Sequence, residues 1–184
     1  MRGYFGIGVE GISKSMNVGS LFRTAHAFGA SFVFTIAAQY ERTEGERVDT
    51  SRAAQSVPLY EFDSVAALRL PSDCALVGIE IVDEATLLPS FRHPRCAAYV
   101  LGPERGSLSP ALVALCENVV KIPTRFSINL GIAGAIVMYD RLISVGRYPA
   151  RALAEGGAPE VLAPHEFGPP RMRKRRQAAK GGVR

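Results

Sequence analysis

The feature that most restricts the fold is a repeated change of apolar period along the chain. Short β-rich runs alternate with segments of helical spacing. Tyr4 to Val9 alternates and predicts a first strand. Val18 to Phe28 sets Leu21, Phe22, Ala25 and Phe28 at helical spacing, and Gly29 is the expected C′ residue that closes this helix. Ser31 to Ala37 predicts a strand and Pro58 to Phe62 a shorter one. Ser64 to Leu70 predicts a short helix capped by Asp63 or Ser64. Ala75 to Ile81 and Ala97 to Leu101 are apolar enough for parallel strands buried on both faces. Ser109-Pro110 joins an N-cap to proline at the first helical position, so a helix is expected from there to about Cys116. Asn118 to Ile122 predicts another strand, and Asn129 to about Val145 the last long helix.

Strands alternating with helices imply an α/β domain with a mainly parallel sheet flanked by helices. Such sheets bind ligands at the carboxyl ends of their strands. The loops after Val9, Leu101 and Ile122 are therefore the places to look for chemistry.

Charge divides the chain in two. Residues 1–150 hold 14 Lys/Arg and 14 Asp/Glu, whereas residues 151–184 hold 8 basic and 3 acidic residues. The whole net charge of +5 thus sits in the tail, which includes the block Arg171-Met172-Arg173-Lys174-Arg175-Arg176. Pro149, Pro159, Pro164, Pro169 and Pro170 accompany Gly156, Gly157 and Gly168. Residues 1–150 are read as the folded domain and 151–184 as a basic, disordered tail. That tail is either a phosphate-binding arm, whose binding would depend on salt, or a solvated end. No apolar run reaches the roughly 20 residues of a membrane span, and Met1 to Glu10 lacks a signal-peptide layout. No membrane partner and a cytoplasmic location are expected. Cys74, Cys96 and Cys116 are odd in number and far apart in sequence, and His26, His93 and His165 are scattered, so neither a metal nor a disulfide framework is expected.

Three segments stand out. Asn17-Val18-Gly19-Ser20-Leu21-Phe22-Arg23 runs from a loop into a helix. Asn17 suits a turn or cap, but Arg23 lies in sequence among apolar residues and needs an anionic partner, for which a phosphate or carboxylate would serve. Leu101-Gly102-Pro103-Glu104-Arg105-Gly106-Ser107-Leu108-Ser109 directly follows a strand, and its glycines let a ligand approach the backbone. It lacks the spacing of a P-loop or a dinucleotide fingerprint. Glu104 is either a fold-stabilising anion or a substrate contact. Ile122-Pro123-Thr124-Arg125-Phe126-Ser127-Ile128-Asn129 carries a strand end, a polar loop and an N-cap candidate. The Gly131 to Ala135 run that follows lets another backbone pack close. Arg125 adds a positive charge to this polar loop.

In this order, and with the Asn-to-Arg interval, the Gly-x-Glu-x-Gly loop and Ile-Pro followed by Ser-x-Asn, the segments resemble the three motifs of the TrmH/SpoU group of SPOUT RNA methyltransferases. The resemblance covers roughly Tyr4 to Arg147. It implies a sheet whose C-terminal part forms a deep trefoil knot. It also implies an S-adenosylmethionine cofactor with no metal, a tRNA or rRNA substrate, and a homodimer whose active site draws on both subunits. The activity implied is methylation of a ribose 2′-hydroxyl. Carried over residue by residue, it assigns cofactor binding to Leu101, Gly102, Ile122 and Ile128, and the catalytic set to Asn17, Arg23, Glu104, Ser127 and Asn129. Because a guanidinium stays protonated, Arg23 is read as a phosphate clamp and stabiliser of developing alkoxide. Two rivals are a nucleotide-dependent α/β enzyme using the Gly102 loop, and a non-catalytic RNA-binding protein that keeps the fold.

Overall fold

The computed structural model describes residues 3–39, 57–103, 106–146 and 148. Seven parallel strands form one sheet: β1 Tyr4–Glu10, β2 Phe32–Ile36, β3 Leu59–Phe62, β4 Ala75–Ile79, β5 Thr86–Leu87, β6 Cys96–Leu101 and β7 Asn118–Lys121. Their spatial order is β3-β2-β1-β6-β4-β7-β5. The chain winds one way from β1 to β3 and the other way afterwards. The order therefore reverses between β1 and β6, where an open parallel sheet leaves a crevice. The last strand added, β7, fills the slot between β4 and β5.

Among the described residues the helices are α1 Ser15–Ala27, α2 Pro110–Val113 and α3 Leu130–Val145. Alternation of side chains along the strands sorts the core into two layers. Ile7, Val9, Val33, Val77, Tyr99 and Val120 face α1 and α3, meeting Val18, Leu21, Ala25, Ala133 and Val137. Phe32, Phe34, Ile36, Leu76, Ala98 and Val100 face the other way, onto Leu108 and Leu112 beside α2. Gly6 and Gly8 belong to that second face. A Cβ on either would sit 2.3 to 2.5 Å from the Phe32 or Phe34 ring, so bare backbone in β1 makes room for both rings.

Small residues also set the approach of the two long helices. A Cβ on Gly134 would lie 2.4 Å from Leu21 Cδ1, so the small-residue run of α3 is what lets α1 settle against it. Gly29 ends α1 as expected: it has φ of +72°, and its N–H and that of Ala30 return to the carbonyls of His26 and Ala25.

Some boundaries differ from expectation, each for a local reason. Ser64 makes no side-chain cap bond, and only a 3-10 turn, Val65–Ala67, forms before Pro71. Ser109 does cap α2, accepting from Leu112 N at 3.2 Å, but the helix closes at Val113 and tightens into turns before β7. The two-residue β5 and the 3-10 turn Leu88–Ser90 carry no periodic signal and were not expected. Strand β4 stops at Ile79, two residues early, and the Glu80 side chain beyond it reaches a neighbouring loop.

The cysteines are not all apart in space. Ala75 pairs with Ala97 across β4 and β6, which brings Cys74 beside Cys96. Burial and a hydrogen bond with Cys96 push the Cys74 thiol up to about 12. Both remain free thiols, and a thiol held protonated is a poor nucleophile and metal ligand. Among the described residues no group of three or more His, Cys, Asp or Glu could hold a metal ion, and no helix is long and apolar enough to cross a membrane. The basic tail, residues 151–184, lies outside the described residues.

Candidate active site

A cavity of about 540 Å³ opens at the carboxyl ends of the strands, beside the crevice between β1 and β6. That volume falls within the range of small-molecule sites, roughly 300 to 1,000 Å³. Four loops wall it. Lys14 stands just before α1 and Asn17 in its first turn, and Glu80 and Ile81 come from the end of β4. Gly102, Pro103, Gly106 and Ser107 follow β6, while Ile122, Thr124, Ser127, Ile128 and Asn129 follow β7. Leu101, Leu130 and Ala133 complete an apolar floor. The three loops singled out in the sequence thus converge, and a fourth joins them.

Asn129 links the first and third of these segments. Its Oδ1 accepts from Gly131 N at 2.9 Å and Ile132 N at 3.4 Å, which caps α3. Its Nδ2 donates to Asn17 Oδ1 at 3.2 Å, across 112 residues of chain. Capping and site building are therefore the same act here: the bonds that start α3 also aim an amide at the first turn of α1.

Two carboxylates fix the second segment from below. Glu10, buried at the end of β1, accepts from Ser109 N at 2.7 Å. Glu80 accepts from Leu108 N at 2.8 Å through Oε2 and from Ile81 N at 2.9 Å through Oε1. Consecutive amides of one loop are thus held by the ends of two strands. A Cβ at position 102 would approach Glu80 Oε2 and Leu108 N to 3.1 Å each, so glycine there leaves the contact open.

Of the residues assigned from sequence, Asn17, Leu101, Gly102, Ile122, Ser127, Ile128 and Asn129 line this cavity. Arg23 does not. Its apolar sequence neighbours turn inward while the helical step carries Arg23 to the exposed face of α1. Glu104 lies outside the described residues. Arg125 is exposed on the loop before α3. Sequence reasoning missed Glu80 and Lys14. The signal for Glu80 was present: one carboxylate interrupting the apolar run Ala75 to Ile81.

A second polar cluster, also missed, lies under α3. Arg141, only 2% exposed, donates to Pro94 O at 2.6 Å, Arg95 O at 2.9 Å and Tyr99 Oη at 3.0 Å. Its guanidinium also stands over the Phe5 and Tyr99 rings. His93 joins Tyr99 Oη through Nδ1 at 2.6 Å and Asp140 Oδ2 through Nε2 at 2.8 Å. Burial pushes the His93 imidazole below its ordinary value despite Asp140, and pushes the Tyr99 phenol up to about 12. His93 and Tyr99 are therefore neutral, and the cluster ties α3 to β6 and the turn before it.

A family model described as the SpoU rRNA Methylase family matches residues 5–139. A mouse protein named tRNA (guanosine(18)-2′-O)-methyltransferase TARBP1 is 24% identical over an alignment of 137 residues that covers 70% of this chain and 9% of that protein. The SpoU methyltransferase AviRb from Streptomyces viridochromogenes, solved in complex with the cofactor AdoMet, matches with a TM-score of 0.66 at 22% identity, over 76% of this chain and 60% of that one. A structure bearing on the 2-OH methylation of C/U34 on tRNA gives a TM-score of 0.70 at 21% identity, over 79% of this chain and 98% of that one. The chain thus spans a small part of the mouse relative and about three fifths of AviRb.

Proposed function

The chain belongs to the SpoU rRNA Methylase family, and from that premise we propose that it methylates a ribose 2′-hydroxyl in tRNA or rRNA, using S-adenosylmethionine. The observation that carries this reading is the Asn17–Asn129 bridge at a cavity walled by all three motif loops.

The residues present fit that cofactor. Ile79, Ile81, Leu101, Ile122 and Ile128 give an apolar slot for a purine, and Gly102 lines it beside them. Asn17, Ser127 and Asn129 supply polar groups on another side of the same space. When bound, the cofactor supplies an activated methyl on a sulfonium. The chain's own task is then to orient the ribose hydroxyl and help it lose its proton to solvent. Ser127 and the Asn17–Asn129 pair position the ribose hydroxyl for an in-line approach. Arg23, exposed and away from the cavity of its own chain, clamps an RNA phosphate and stabilises the alkoxide that develops as the proton leaves.

The homodimer enters here too. A helix with one face in water is polar on that face, but α3 is apolar on both. Leu130, Ala133, Val137 and Met138 are buried, while Ile132, Ile136, Tyr139 and Ile143 form an exposed stripe at helical spacing. A second copy of the chain covers that stripe and brings Arg23 to the partner's site. The trefoil knot belongs to the same reading, and the late insertion of β7 between β4 and β5 supports it.

The test is transfer of labelled methyl from S-adenosylmethionine to total RNA by the full chain, followed by digestion to nucleosides. A labelled 2′-O-methyl nucleoside is expected. Label on a base, or none with every RNA tried, refutes the reading. Arg23→Ala is expected to abolish transfer while S-adenosylhomocysteine binding stays within a few-fold. Retained turnover would remove Arg23 from the reaction.

A further inference from the structure

We propose that Glu80 is the ribose anchor of this site: its carboxylate receives the vicinal diol of the adenosyl cofactor while it holds the Gly102 loop. This inference rests on the cofactor reading above and adds a residue that the motifs do not contain.

Three observations carry it. First, the carboxylate is fixed. Glu80 N donates to Val120 O at 3.0 Å, which pins its backbone to β7, and its two oxygens accept separately from Ile81 N and Leu108 N. A group held at both oxygens is ordered before any ligand arrives, so it loses little freedom on binding. Second, among the described residues its acceptor capacity is half used. An ionised carboxylate offers about four lone-pair sites. The two amides take one on each oxygen and leave one on each. Two O–H donors on adjacent carbons match that remainder. Third, its place is right. Glu80 stands between Ile79 and Ile81 on the lining, within the apolar wall suited to a purine. The part of an adenosyl group joined to the purine is the ribose.

The amino-acid end of the cofactor also carries a donor, its ammonium, and the two assignments predict different results. Calorimetry on the full chain with three probes separates them: S-adenosylhomocysteine, 5′-methylthioadenosine, which lacks the amino-acid end, and the 3′-deoxy form of S-adenosylhomocysteine. In the unmodified protein the 3′-deoxy form is expected to bind about ten- to hundredfold more weakly than its parent, as for loss of a hydrogen bond to a charged group. Glu80→Gln is expected to weaken S-adenosylhomocysteine and 5′-methylthioadenosine by similar factors and to shrink the penalty of the missing hydroxyl. Equal binding of parent and 3′-deoxy forms by the unmodified protein overturns the proposal, and needs no variant to fold. A loss in Glu80→Gln confined to S-adenosylhomocysteine assigns the carboxylate to the ammonium and overturns it too. If the unmodified protein binds no adenosyl probe, the cofactor reading itself fails, which is a distinct result.

Discussion

Replacing Tyr99 by phenylalanine removes one oxygen from the middle of the cluster under α3. The ring is fully buried, and Phe keeps its shape and its contacts with Phe5 and His93. Two bonds go. Arg141 Nη1 loses a partner at 3.0 Å but keeps Pro94 O at 2.6 Å. His93 Nδ1 loses a partner at 2.6 Å, and among the described residues no other hydrogen-bond partner stands at that nitrogen. A bond to a charged group is worth about 1.5 to 3 kcal/mol and an orphaned buried nitrogen costs about 1 to 3 kcal/mol. The two share one oxygen, so they do not add fully, and about 3 kcal/mol is the expected loss. At roughly 2 to 4 °C per kcal/mol for a chain of this size, the Tm falls by about 6 to 12 °C. Urea and thermal melts followed by circular dichroism measure it. A loss below about 0.5 kcal/mol, the level of ordinary surface changes, would refute the claim that this hydroxyl joins α3 to the sheet.

The same cluster predicts a pH effect. Burial lowers the His93 pKa, so the unfolded chain binds the extra proton first as pH falls below the ordinary histidine value of about 6.5. Its stability is complete above that value and declines below it; Tm should drop on moving from about pH 7.5 to about pH 5.5, and His93→Gln should flatten that slope. Asn129→Ala removes the α3 cap and the tie to Asn17, so a stability loss of about 1 kcal/mol is expected, together with a fall in methyl transfer larger than that loss explains; unchanged kcat/KM would separate the cap from the site. Ile136→Glu, at the middle of the exposed α3 stripe, should turn a dimer into a monomer by light scattering on an eluting peak, and a wild type already monomeric would reject the dimer. Removing residues 151–184 should lower the salt dependence of RNA affinity if the basic tail contacts phosphate, and an identical slope would show that it does not.

What depends on neighbours along the chain was legible in the order of residues. Alternation in Tyr4 to Val9, helical spacing around Leu21 and Phe22, the Ser109-Pro110 start and the Gly29 stop are local physics, and each holds in the structure. Motif order located most of the cavity wall for a similar reason, since loops at strand ends must share one edge of a parallel sheet. Tertiary structure decided whatever depends on pairs far apart. Strand order is invisible to periodicity, and it is what sets Cys74 beside Cys96 and carries Asn129 to Asn17. The rotation of α1 against α3 turned Arg23 outward although its sequence neighbours are apolar. His93, Tyr99 and Arg141 read as scattered residues until α3 crosses β6 and burial leaves each polar atom dependent on the others. The opening pattern of short apolar runs shows the same division at its most informative point. Ala75 to Ile81 reads as one buried strand. In the structure that strand ends at Ile79, and the loop that offers Leu108 N to the next carboxylate makes Glu80 part of the site.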